Sequence, residues 1–186
     1  MVKRFWLLPL MVLLLAACGT STSTNGGASG VSDQLSISTE GKTKGEGFII
    51  KTEDHKVLVN DTFFTIDDKT HLVSIGDGGE KQLEFEDLEI GMKVDVYNSG
   101  IILTSFPAQG YADIFVVKKD EESLNYAKAF EAFLTSENRK NIVLMGEIEF
   151  DEDFIEFNFT DMDTNDSFHA SINVSEQTYS LNVLEQ

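Results

Sequence analysis

From Gly47 the chain alternates short apolar runs with polar breaks, a pattern that predicts strands rather than helices. Phe48 to Lys51 runs into Glu53-Asp54, and His55 to Val59 follows, which reads as strand, turn and strand. Phe63 to Ile66 and Leu72 to Ile75 extend the series, with Asp67-Asp68 and Gly76 to Gly79 as turn chemistry. A short turn over Glu86 to Gly91 is expected to open a strand at Lys93 to Tyr97. Asn98-Ser99-Gly100 should then reverse the chain into a strand at Ile101 to Phe106, and Ala112 to Val117 closes the set. Many short strands with tight turns predict a small antiparallel barrel or sandwich.

Beyond Val117 the period lengthens. Leu124, Ala127, Phe130, Phe133 and Leu134 recur at steps of three and four, which predicts one amphipathic helix. Asp120 to Ser123 supply capping and acidic residues at its start, and Asn138 to Asn141 should end it. Four strands are then expected: Ile142 to Phe150, Phe154 to Phe159, Phe168 to Val174 and Tyr179 to Leu184. Ile155, Phe157 and Phe159 share one face of the second, and Phe168, Ala170, Ile172 and Val174 one face of the third. A helix laid on an antiparallel meander would bury both sets. The fold expected overall is mostly β: a small antiparallel barrel or sandwich followed by a small α+β unit.

The other end of the chain carries a targeting pattern. Lys3 and Arg4 precede an apolar run from Phe5, and small residues lead into Cys18, the single cysteine. The run from Phe5 to Ala17 is shorter than the roughly 18 to 20 residues that cross a bilayer as a helix. Between Gly19 and Gly45, serine, threonine and glycine fill 17 of 27 positions without apolar periodicity, the composition of a tether. The expected organisation is a signal peptide at 1–17, a tether at 18–45, the barrel at 46–119 and the α+β unit at 120–186. With one cysteine no internal disulfide can form, so stability must come from packing.

The formal charge is −18, and it becomes −20 once residues 1–17 are removed. The segment 120–186 holds 16 acidic and 3 basic side chains, so the acidity is concentrated there. Such a field repels phosphate backbones and argues against a nucleic-acid partner; basic proteins and cations fit better.

Two resemblances follow from particular residues. Leu15-Ala16-Ala17-Cys18 resembles the bacterial lipoprotein processing box, which implies cleavage before Cys18 and diacylglycerol on its sulfur. Lipid would then attach the protein to the extracytoplasmic face of the cell membrane. Two buried acyl chains give lasting attachment where one is marginal, at about 0.8 kcal/mol per CH2. Asp87-Leu88-Glu89-Ile90-Gly91-Met92-Lys93-Val94-Asp95-Val96, followed by Ser105-Phe106-Pro107-Ala108-Gln109, resembles the lipoprotein family known as domain of unknown function 3221, over about residues 46–119. That resemblance implies an OB-like fold and no known activity.

Candidate chemistry is sparse. Pro107 cannot donate to a ladder, so it belongs at a strand end or edge, where a rigid corner setting the entry to the last strand is the simpler reading and a groove mouth lined by Tyr97, Phe106 and Gln109 is the candidate ligand site. Asp161, Asp163 and Asn165 alternate like the opening of a calcium loop, which with Asp166 makes Asp161, Asp163 and Asp166 the candidate cation ligands, but position six should be glycine and is Asp166, and position twelve should be glutamate and is Ile172. A hairpin turn is the simpler reading, with a weak cation site as the alternative. His55, His71 and His169 lack ligand spacing, and no nucleophile elbow or phosphate loop is present. No catalytic residue and no cofactor is expected. The sequence points to a non-enzymatic module binding an envelope protein, peptide or cell-wall component, ahead of a cation-dependent module or a hydrolase.

Overall fold

The computed structural model describes residues 35–136, 141–151 and 153–184. The signal segment, Cys18 and the tether up to residue 34 lie outside the described residues, as do most of the expected helix stop at 138–141 and Glu152.

The first sheet contains β1 (Thr43–Glu53), β2 (Lys56–Val59), β3 (Thr62–Thr65), β4 (His71–Gly76), β5 (Gly79–Gln82), β6 (Lys93–Asn98), β7 (Ala108–Tyr111) and β8 (Ile114–Lys118). Helix α1 (Glu121–Ser136) follows, and then a second sheet of β9 (Ile142–Phe150), β10 (Phe154–Asp161), β11 (Ser167–Asn173) and β12 (Thr178–Val183). The protein is thus β-dominated with one described helix, and the second sheet is the expected antiparallel meander, in the order β12-β11-β10-β9.

The first sheet departs from the expected barrel in two respects. Its order is β5-β4-β8-β6-β1-β2-β3-β7, which leaves β5 and β7 as edges, so no ladder closes it. Two of its pairings, β3 with β7 and β4 with β8, are parallel. Both follow from one bend. Ala112 donates its amide to the Thr65 carbonyl at 3.1 Å, and Asp113 donates to Tyr97 at 2.9 Å, so the chain swings from β3 to β6 within two residues. Continuous backbone joins β7 to β8 where a closed barrel would have a ladder.

The expected strand at Ile101 to Phe106 does not form; only Leu103 makes an isolated bridge, to Gln109. Its apolar residues do not find a second neighbouring strand, because β7 already fills the position beside β3. The hairpin partner β5 falls where the sequence shows glycine and polar residues, and β1 begins at Thr43, inside the expected tether.

Alternation along β1 divides the core. Ile49 points into a cluster with Val57, Phe64, Leu72, Val94 and Phe115, inside the first sheet. Phe48 and Ile50 point the other way, into a cluster with Phe130, Phe133, Leu144, Ile155, Phe157 and Ile172. That second cluster spans α1, the meander and one face of β1. The register Ile155↔Ile172, Phe157↔Ala170 and Phe159↔Phe168 stacks the apolar faces read from the sequence. Asp120 caps α1, its carboxylate accepting the Ser123 amide at 2.9 Å.

Asn60 ties the two sheets together by its backbone and side chain. It accepts the Leu144 amide at 3.1 Å, its Oδ1 accepts the Phe48 amide at 3.1 Å, and its Nδ2 donates to the Glu46 carbonyl at 2.9 Å. A Cβ on Gly47 would lie 2.0 Å from the Asn60 Oδ1, so only glycine admits this side chain across β1.

Candidate functional site

Three local structures wall a cleft of about 710 Å³ on the first sheet. The turn between β1 and β2 holds Asp54 at φ +45° and His55 at φ +59°, which carries the His55 imidazole to within 5.1 Å of the Phe85 ring. The turn after β3 is fixed by Asp67: its carboxylate accepts the Lys69 amide at 2.9 Å, and its own amide donates to Thr70 Oγ1 at 3.1 Å. Thr70 in turn donates to the Ala112 carbonyl at 2.8 Å, pinning that turn to the bend between β7 and β8. The third wall is the segment Leu83 to Glu86, which leads into a single 3-10 turn at Phe85–Asp87; there Asp87 accepts the Glu84 amide at 2.9 Å.

The resulting chemistry is asymmetric. Buried Ile66 and Leu72 form the floor, Phe85 and Leu83 are half-buried along one side, and Asp67, Asp68, Glu84 and Glu86 stand exposed at the rim. Among the described residues no lysine or arginine lines the cleft. A cavity of this size with an apolar floor and a few polar groups has the dimensions of a ligand site, and its rim favours a positive charge on what enters.

A second group of charges is partly withdrawn from water, with Asp95 and Lys93 buried, Glu46 and Lys118 half-buried and Lys44 exposed. On β1, β6 and β8, Lys44, Glu46, Lys93, Asp95 and Lys118 share one face of the sheet. Glu46 Oε1 lies 3.0 Å from Lys93 Nζ and 3.3 Å from Lys118 Nζ, and Asp95 Oδ2 lies 3.1 Å from Lys44 Nζ. Lys93 Nζ also sits 3.7 Å above the Phe150 ring and 4.6 Å from the Tyr126 ring, so the helix and the meander cover it with two aromatic faces. Burial pushes the Glu46 carboxyl upward, but Lys93, Lys118 and Lys44 outweigh it and hold the group at about 2. Burial raises the Asp95 carboxyl and outweighs the opposing pull of Lys44 and Lys118. Burial lowers Lys93, with Glu46 opposing. These ion pairs tie β1, β6 and β8 together, and α1 and β9 cover Lys93, which gives the cluster a structural role.

The residues singled out from the sequence are dispersed. Tyr97 is buried among Val73, Ile75, Ile114 and Val116, whereas Phe106 and Gln109 are exposed around the bond from Phe106 to Pro107, which is cis. Ser105 joins the latter two, donating to the Pro107 carbonyl at 2.7 Å and accepting from Gln109 Nε2 at 3.4 Å. Asp161 and Asp163 build the β10–β11 turn: the Asp163 amide donates to Asp161 Oδ1 at 2.9 Å, Asn141 Nδ2 donates to Asp163 Oδ1 at 2.7 Å, and Asp166 accepts the Asp161 amide at 2.9 Å through its carbonyl. Among the described residues no group of three histidine, cysteine or carboxylate side chains is placed to hold a metal ion. His71 pairs with Glu80 at 3.0 Å and His169 with Asn158 at 3.0 Å.

The cleft residues escape sequence reading because three separate turns supply them and no local spacing connects them. Its sole local trace is carboxylates at turns, which turn chemistry alone explains.

These features define a β-dominated module with an acidic, apolar-floored cleft. Residues 46–118 match the family described as protein of unknown function (DUF3221), so the resemblance carried by the two motifs holds over the first sheet. No curated protein and no solved structure matches the chain.

Proposed function

We propose that the protein is a non-enzymatic binding module, lipid-anchored through Cys18 on the extracytoplasmic face of the membrane, that takes a basic peptide or a basic segment of an envelope protein into the cleft beside Phe85. The observation that carries the reading is the cleft itself: about 710 Å³, apolar below, with four carboxylates above and no lysine or arginine among its described lining residues. A lysine or arginine side chain suits it, laying its methylene stem on Ile66, Leu72 and Phe85 and its charge among the rim carboxylates. The mature charge of −20 would draw such a ligand in, with an on-rate that falls as salt is added.

Calorimetric titration of the full chain with a lysine-rich peptide, against a glutamate-rich peptide of equal length, tests it. Saturable binding of the first alone is expected, weakened at least tenfold by Asp68→Asn with Glu84→Gln and Glu86→Gln. Equal binding before and after these substitutions would remove the cleft from the reading. Fractionation of Cys18→Ala tests the anchor separately: a processed variant that stays tightly membrane-bound would contradict lipidation at that sulfur.

A further inference from the structure

Residues 96–112 contain no charged side chain, the longest such run after Asp33 in a chain with 46 charged residues. Within it four large apolar side chains stand in solvent: Ile101 at 83% exposure, Leu103 at 61%, Phe106 at 54% and Tyr111 at 67%. Single exposed apolar residues are ordinary, but four within eleven positions and free of charge form a patch. The loop that presents them is built. Leu103 and Gln109 exchange amide bonds at 2.8 and 3.1 Å, Ser105 closes on Pro107, and Ile102 turns inward over Gly110, leaving Ile101 and Leu103 outward on either side of it.

The same loop stands where the amino-terminal segment enters the fold. The Asp113 carboxylate accepts the Ser99 amide and lies 3.6 Å from Lys42 Nζ, and its carbonyl accepts the His71 amide at 2.8 Å. Ser36 in turn bonds Glu80 at 2.7 Å and touches His71 at 3.4 Å. Asp113 therefore joins Lys42, the residue before β1, to Ser99, two positions before the apolar loop, and itself stands two positions after Tyr111. The seventeen residues from Cys18 to Gln34 can extend over at most roughly 60 Å. A lipid held at Cys18 would keep this end of the fold within that reach of the bilayer.

We propose that the loop Ile101–Tyr111 is a membrane-contact element that seats Ile101, Leu103 and Phe106 in the interfacial layer of the bilayer to which Cys18 is anchored. The proposal rests on the anchored reading above. The charge distribution and the anchor favour a lipid surface as the occupant. An anionic bilayer repels the acidic remainder of the chain, so the charge-free loop is the part that approaches at least electrostatic penalty, and the anchor supplies proximity.

Tryptophan introduced by Phe106→Trp reports on the loop, since Trp6, the sole tryptophan, leaves with the signal. The lipidated full-length product is reconstituted in vesicles of phosphatidylcholine with and without phosphatidylglycerol, attachment being checked by sedimentation. Indole emission is then read with brominated acyl chains. The expected result is a blue shift and at least twofold quenching, both lost when Ile101→Ser and Leu103→Ser are added while sedimentation persists. An attached chain whose indole emits as in water and stays unquenched overturns the proposal alone. A shift that follows protein density instead of lipid bromination assigns the loop to a second copy and overturns it too. A chain that carries no lipid and stays in the supernatant sinks the anchored reading and this proposal with it.

Discussion

The Phe48 ring of β1 and the Phe130 ring of α1 stack with centroids 4.2 Å apart and planes 11° from parallel. Phe48 belongs to the DUF3221 segment and Phe130 to the region after it, so this contact joins the two parts through one apolar cluster. Both rings are fully buried, and Phe130 also meets Phe157 edge-on at 5.6 Å.

Truncating either ring should therefore destabilise the whole described fold. Phe48→Ala and Phe130→Ala are each expected to lose about 3 to 5 kcal/mol, and a double-mutant cycle should show about 0.5 to 1.5 kcal/mol of coupling. Urea unfolding followed by far-ultraviolet circular dichroism should remain a single transition. If Phe130→Ala melted the meander and left the transition of the first sheet in place, the shared cluster would not couple the two parts.

Acid should act through Glu46. Its folded value of about 2 lies below the ordinary 4.5, so the stabilisation it brings is fully present above about 4.5 and is lost as pH falls toward 2. Asp95 has the opposite sign: its raised carboxyl stabilises the fold only in acid, when protonated, and offsets part of the loss. The unfolding midpoint should fall between pH 4.5 and 2, and Glu46→Gln should flatten that fall while lowering the midpoint at pH 7. A variant with an unchanged acid profile would exclude Glu46 as its source.

Gly91 adopts φ +89°, and a Cβ there would lie 3.1 Å from Glu131 Cβ on α1. Gly91→Ala thus combines a left-handed backbone with a crowded helix contact, and about 1 to 3 kcal/mol should be lost. Gly79→Ala has a similar φ of +79° with open space around it, so it isolates the backbone contribution. Thermal melts of the two should differ, with Gly91→Ala the lower; equal melts would mean that the helix yields freely.

Periodicity made most of the fold legible. The step of two in Phe154 to Phe159 and in Phe168 to Val174 matches β10 and β11, and the step of three and four after Val117 marks α1, but the buried face of that helix runs through Ser123, Tyr126, Ala129, Phe130, Phe133 and Leu134, while Leu124 is exposed and Ala127 half-buried. Where the reading failed, a tertiary relation had overridden a local pattern. Ile101 to Phe106 has strand composition yet forms a loop, because β7 already pairs with β3. The β5 strand has weak composition yet forms, because β4 offers it an edge. The parallel pairings depend on the bend at Ala112 and Asp113, which no residue type there announces. The cleft was equally hidden, since His55, Asp67 and Phe85 become neighbours only after the first sheet folds over on itself.

The buried charges allow a sharper test of what the cluster is for. Asp95 is fully buried and meets Lys44 at 3.1 Å without an aligned donor, whereas the Lys44 side chain keeps 41% of its surface in water. Removing the Asp95 charge with Asp95→Asn therefore lifts a desolvation penalty, and the cation left behind can be hydrated. Lys93 is the reverse case: its side chain is 6% exposed, with Glu46 at 3.0 Å and the Phe150 ring at 3.7 Å. Lys93→Met keeps the stem but deprives Glu46 of its nearest cation and the two rings of theirs, so about 1 to 3 kcal/mol should be lost. Denaturant titration at pH 7 should find Asp95→Asn as stable as the parent or up to about 1 kcal/mol more stable, and Lys93→Met clearly weaker. A loss above about 2 kcal/mol for Asp95→Asn would show that the lysines around that carboxylate need its charge more than the fold suffers from burying it.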